Sequence, residues 1–217
     1  MSQISRSAMK FRLFAATLAA AFAYSYSAAH AQGDPAKAQN IVTQVCSACH
    51  GSDGNSTLPT NPSLAAQHAD YTLKQLMNFK AQAGKSAERV NPVMSGMVAP
   101  LSADDMKNLA AYFADQKAKP RAARNPELVK LGQSIYRAGI AGKGVASCAG
   151  CHSPDGAGIP AQFPRLAGQH PEYVVAQLKA FRAGERANDA NSIMRATAGK
   201  LSDQEIAAVA EYVSGLH

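Results

Sequence analysis

Nothing in this sequence alternates apolar and polar residues with a period of two for long enough to make a strand, so helices are the regular element its patterning supports. Long apolar runs are also missing. After residue 31 no segment approaches the ~20 apolar residues that a membrane-spanning helix needs. A concentrated basic patch is lacking too, which argues against nucleic acid as a partner. Cysteine is scarce: the chain has four, and all lie in two short stretches, CSACH at 46–50 and CAGCH at 148–152. Exported chains usually pair their cysteines. Here a disulfide between neighbours in a Cys-x-x-Cys helical turn would be strained, and it would leave both histidines unexplained.

The first 31 residues stand apart. Arg6, Lys10 and Arg12 make a basic start, Leu13 to Ala23 is a short apolar run, and Ala29-His30-Ala31 is a small-x-small cleavage site. This predicts a secretory signal peptide cleaved near Ala31, with an uncleaved membrane anchor as the rival reading. The leader holds three of the 22 Lys and Arg and none of the 15 acids, leaving 19 against 15 and a net charge of +4. The basic residues cluster once, as Lys117, Lys119, Arg121 and Arg124, in a stretch that also holds Pro120 and Pro126. That stretch reads first as a solvated linker and second as an electrostatic docking patch.

What the chain does have is one unit written twice. An offset of 102 residues lays Cys46, Cys49, His50, Asp53 and Gly54 on Cys148, Cys151, His152, Asp155 and Gly156, and then Leu64, Tyr71, Leu76 and Phe79 on Leu166, Tyr173, Leu178 and Phe181. Toward the end of each half the offset becomes 100, pairing Met94, Leu101-Ser102 and Tyr112 with Met194, Leu201-Ser202 and Tyr212. The slip falls in a polar loop around 83–93, where length changes are tolerated. Two domains follow, residues 32–119 and 120–217, with the boundary somewhere in 115–126. Asp34-Pro35 and Asn125-Pro126 read as cap-then-proline helix starts. Tyr71, Leu73, Leu76, Met77 and Phe79, and Tyr173, Val174, Leu178 and Phe181, predict a middle amphipathic helix in each half. Ser102-x-x-Asp105 and Ser202-x-x-Glu205 read as capping boxes. Behind them Met106, Leu109 and Phe113, and Ile206, Val209 and Val213, form the buried stripes. A half of ninety residues with three or four short helices and long glycine- and proline-containing connections at 51–63 and 153–165 buries little apolar area unaided. Something else is expected to fill its centre.

Cys-x-x-Cys-His is the attachment motif of c-type haem. In one helical turn two thiols can add to the haem vinyl groups while the next residue's imidazole faces the iron. A zinc ribbon needs two such knuckles close together rather than 102 residues apart, and a redox dithiol wants a strand-helix context that a helical chain does not offer. The haem reading extends to further residues. A ligating histidine generally donates its other ring N–H to a carbonyl, and twelve residues beyond each histidine stands a proline, Pro62 and Pro164. Thioether as sixth ligand raises the potential, which makes methionine the first candidate. In the second half the only methionine is Met194; by register Met94 is its counterpart, with Met97, aligned on Thr197, as the alternative. Met106 and Met77 read as packing. His68 and His170 repeat before the middle helices, and read as residues near the haem rather than as ligands.

The two Cys-x-x-Cys-His motifs, the Asp-Gly after each, LAGQH, MSGMVAPLS with SIMRATAGKLS, and the closing LAAYFADQ and EYVSGL together resemble the dihaem cytochrome c4 family over the whole mature chain. The resemblance implies an all-α protein of two class I cytochrome c domains about a pseudo-twofold axis, with haem propionates near the contact. It implies two covalent haem c groups, attached at Cys46, Cys49, Cys148 and Cys151. The iron ligands are then His50 with Met94 and His152 with Met194, with Pro62 and Pro164 behind the histidines. It further implies a monomeric periplasmic carrier, sometimes membrane-associated, taking electrons from quinol-oxidising complexes toward terminal oxidases. The rival class is an enzyme, a dihaem peroxidase or thiosulfate-oxidising cytochrome with one open haem.

Overall fold

The computed structural model describes residues 33–82 and 84–216, so the signal-peptide reading and its cleavage near Ala31 lie outside the described residues. The first half runs α1 (Pro35–Ile41), α2 (Ser47–His50), α3 (Ala69–Phe79), α4 (Pro92–Val98) and α5 (Ala103–Ala114). The second half runs α6 (Pro126–Ala138), α7 (Ala149–His152), α8 (Pro171–Ala183), α9 (Ile193–Ala198) and α10 (Asp203–Ser214). One π-helical turn, Val42–Cys46, joins α1 to α2 without a break. Among the described residues there is no strand, only three isolated bridges.

The helix starts follow from local chemistry. Asp34 accepts from the amide of Ala36, and Asn125 from those of Glu127 and Leu128, each with proline in the first turn where an amide would lack a partner. Ser102 with Asp105, and Ser202 with Glu205, make complete reciprocal capping boxes. The short α4 and α9 were not anticipated. Asn91-Pro92 in fact repeats the cap-then-proline signal, whereas α9 follows Asn191 and Ser192, both left-handed, a start no pattern announces.

Each half has its own core. Met106, Leu109 and Phe113 of α5 pack with Ala38, Val42, Phe79 and Val98; Ile206, Val209 and Val213 of α10 pack with Ile135, Tyr136, Val174, Leu178 and Phe181. The stripes expected on the last helices are therefore the ones buried. Where α6 crosses α10 the backbones nearly touch: a Cβ on Gly132 would lie 2.0 Å from the carbonyl oxygen of Ala208.

Two expectations need correction. On α3 the buried residues are Thr72, Gln75, Asn78 and Phe79, while Met77 is 48% exposed and is not core packing. The reason lies across the molecule: Gln75 and Asn78 meet polar side chains of the second half, so the helix buries a polar face as well as an apolar one. The basic linker is also not a solvated tether. Arg121 donates to the carbonyls of Gly168 and Ser56, Lys119 pairs with Asp53 at 2.7 Å, and Arg124 pairs with Glu172 at 2.6 Å. The strap is thus fastened to both halves.

Candidate haem-binding sites

The two Cys-x-x-Cys-His stretches form the short helices α2 and α7 and the turn leading into each. His50 and His152 are buried. His50 Nδ1 donates to the Pro62 carbonyl at 2.9 Å, and His152 Nδ1 to that of Pro164 at 3.0 Å. Burial pulls both imidazole pKa values down and the proline carbonyls pull back up, with a net lowering that keeps the rings neutral. With Nδ1 engaged, Nε2 is the nitrogen left to meet a metal. No cysteine is paired in a disulfide, and burial pushes the thiols of Cys46 and Cys148 up to about 11. A thiol held protonated is a poor redox dithiol or thiolate ligand. Moreover, among the described residues no three His, Cys, Asp or Glu side chains converge to hold a bare metal ion. Two thiols beside one oriented imidazole fit a covalently attached haem.

The proline carbonyls are fixed by the loops that carry them. Asp53 and Asp155 accept from the amides two residues on, and the glycines between, Gly54 and Gly156, have φ of 71° and 74°. A Cβ on Gly54 would meet the Ala65 amide nitrogen at 2.8 Å, so the turn requires glycine. The Gly54 carbonyl then accepts from Leu64 and Ala65, and that of Gly156 from Leu166 and Ala167. This closes each loop just past its proline and explains the repeated Asp-Gly.

Met94 packs against the first core, as do Cys46, Leu64, Leu73 and Leu76, and Met194 packs against the second, as do Cys148, Leu166 and Val175. Asn91 orients α4 by accepting from the Met94 amide at 2.9 Å. Met97 is 46% exposed and outside that cluster, while Met106 is fully in the core. His68 and His170 bind neither cluster. Their Nε2 atoms donate across the molecule to the carbonyls of Ala157 and Ser56, both at 2.9 Å.

The contact between halves holds residues that sequence reasoning missed. Arg89 donates to Gln75, Tyr173 and Gln177, and Arg186 to Gln177, Tyr71 and Gln75. Each guanidinium also lies 4.5 Å from a ring centroid, Arg89 over Phe79 and Arg186 over Phe181. Tyr173 feels burial, which raises its pKa, but the two arginine charges outweigh it and lower the pKa. Both arginines occupy equivalent places although 97 residues separate them, so the polar loop is longer before its arginine in the first half and longer after it in the second. The available signal was an arginine in each loop, hidden by the changed spacing.

The cytochrome c family matches residues 35–117 and again 129–217. Cytochrome c4 of Azotobacter vinelandii is 48% identical over 195 residues, covering 87% of this chain and 92% of that one. The chain belongs to the dihaem cytochrome c4 family. A crystal structure of reduced recombinant cytochrome c4 from Pseudomonas stutzeri superposes with a TM-score of 0.80 at 43% identity, covering 85% of this chain and all of that one. More distant is a thiosulfate dehydrogenase electron acceptor from Stutzerimonas stutzeri, 36% identical over 85% of this chain and 88% of that one. As in a cytochrome c4, two tandem cytochrome c domains here carry two covalently bound haem c groups.

Proposed function

We propose that this dihaem electron-transfer cytochrome works in the periplasm, taking electrons from a quinol-oxidising complex and passing them toward a terminal oxidase. Residues 32–119 and 120–217 are its two haem-binding domains. Cys46 and Cys49, and Cys148 and Cys151, form the thioether links. His50 with Met94 closes the first iron, and His152 with Met194 the second. Each haem c, when bound, supplies a one-electron iron couple. The chain's own part is to fix that couple. Pro62 and Pro164 orient the imidazoles through Nδ1 and raise their basicity. The methionines, packed on the same cores as Cys46 and Cys148, favour the reduced state.

One observation carries the carrier reading over the enzyme: both halves retain the same full set, a histidine held by a proline carbonyl and a methionine packed on the same core as an attachment cysteine. An electron acceptor among the relatives supports it further. The oxidised protein is expected to show a near-infrared sulfur-to-iron band accounting for two methionines. Met94→Ala removes half of that band, and Met97→Ala leaves it whole. One high-spin haem in the unsubstituted protein would establish the enzyme class instead.

A further inference from the structure

We propose that Gln67 and Gln169 are crossed positioning residues, each setting the strength of the hydrogen bond that holds the axial histidine of the opposite half. The geometry is one peptide unit long. The carbonyl of the Pro164–Arg165 peptide accepts from His152 Nδ1 at 3.0 Å, and the N–H of that same peptide donates to Gln67 Oε1 at 2.9 Å. In the other direction the Pro62–Ser63 peptide accepts from His50 at 2.9 Å and donates to Gln169 Oε1 at 2.9 Å. Each glutamine also donates from Nε2 to the next carbonyl, that of Arg165 or Ser63, and accepts from the amide of its own following histidine. Both side chains are buried and leave no freedom to swing.

An amide whose N–H is engaged by a good acceptor is polarised, and its carbonyl becomes the stronger acceptor. That draws the Nδ1 proton further from the histidine, makes the imidazole more basic and favours oxidised iron. Each glutamine therefore lowers the potential of the haem in the other half. The arginine network makes its bonds to Gln75, Gln177, Tyr71, Tyr173 and Asn188 rather than to these two peptides, so the effect belongs to the glutamines.

The test is a redox titration of the holoprotein with each haem followed separately through its hyperfine-shifted methionine and histidine proton resonances. Gln67→Met is expected to raise the second-half potential by about threefold in the one-electron equilibrium, ~28 mV, and to shift the His152 Nδ1 proton resonance. Gln169→Met is expected to do the same to the first half and His50. Gln67→Glu keeps an acceptor for the Arg165 N–H and holds the second-half potential at or below its unsubstituted value. Tyr173→Phe, which loosens the same contact without touching either peptide, leaves both potentials in place. A shift in the half carrying the substitution, equal shifts in both, no shift, or the same crossed shift from Tyr173→Phe overturns the inference. It rests on the histidine ligands proposed above. That reading fails in the unsubstituted protein, by a high-spin haem, and this one fails only in the comparison of variants.

Discussion

Tyr136 shows how much one hydroxyl can hold. It is fully buried, donates to the Ser153 carbonyl at 2.7 Å and to the His152 carbonyl at 3.3 Å, and so fastens α6 to the end of the attachment turn α7. Burial, followed by the neighbouring Cys148 and Tyr212, keeps it protonated far above the ordinary tyrosine range. Tyr136→Phe keeps the ring and removes the hydroxyl's bond, while the two carbonyls retain the amides of Gly158 and Gly156, so the loss is about 0.5–1.5 kcal/mol. The expected outcome is a lower denaturant midpoint with an unchanged neutral-pH absorption spectrum. Met106→Ala in the first half acts differently: it opens a cavity behind α5 and costs about 2–4 kcal/mol, again without touching the near-infrared band. A loss of the band in Met106→Ala would mean that Met106, and not Met94, meets the iron.

At the scale of elements the two halves differ where their methionines are held. The α4 start uses Asn91, which does not titrate. The equivalent segment before α9 uses Asp189, whose carboxylate accepts from both the amide and Nε of Arg195, the residue after Met194. Burial alone would raise the Asp189 pKa, but the bonds from Arg195 outweigh it and the pKa is lowered. Stability from such a group is complete above the ordinary aspartate value near 3.9 and disappears as pH falls through the lower folded value. On acidification the second-half share of the near-infrared band is expected to fade before the first-half share, as followed by absorption at stepped pH. The crossing of α6 and α10 makes a second prediction. Gly132→Ala forces the helices apart and costs about 1–3 kcal/mol, measured as a drop in Tm. Capping boxes, proline starts and the stripes of α5 and α10 were legible because each rests on neighbours in sequence. The polar face of α3 was not, since Gln75 and Asn78 meet Arg186 and Asn188, more than a hundred residues away in sequence.

Across the whole molecule the repeat was visible in advance, and so were the two histidine–proline contacts, His50 with Pro62 and His152 with Pro164, because each pair keeps the same spacing of twelve residues. What joins the halves was hidden. Arg89 and Arg186 escape a fixed offset, and the strap at 117–124 has the composition of a linker while Arg121 spans Ser56, Ser63 and Gly168. Arg121→Ala is expected to release that strap and to raise the rate of tryptic cleavage at Lys117 and Arg124 severalfold, on the order of the loss of one locally protective contact, while both haem spectra persist. Unchanged cleavage would show that the ion pairs of Lys119 and Arg124 hold the segment alone. The glutamine grips have an ancestral implication. Gln67 and Gln169 seize main-chain amides, so serine at 63 and arginine at 165 serve equally well. A lone half already owns both the hand and the handle. Two identical copies satisfy the grip as well as two diverged ones, which makes a self-pairing single-haem protein a sufficient starting point for the fused chain.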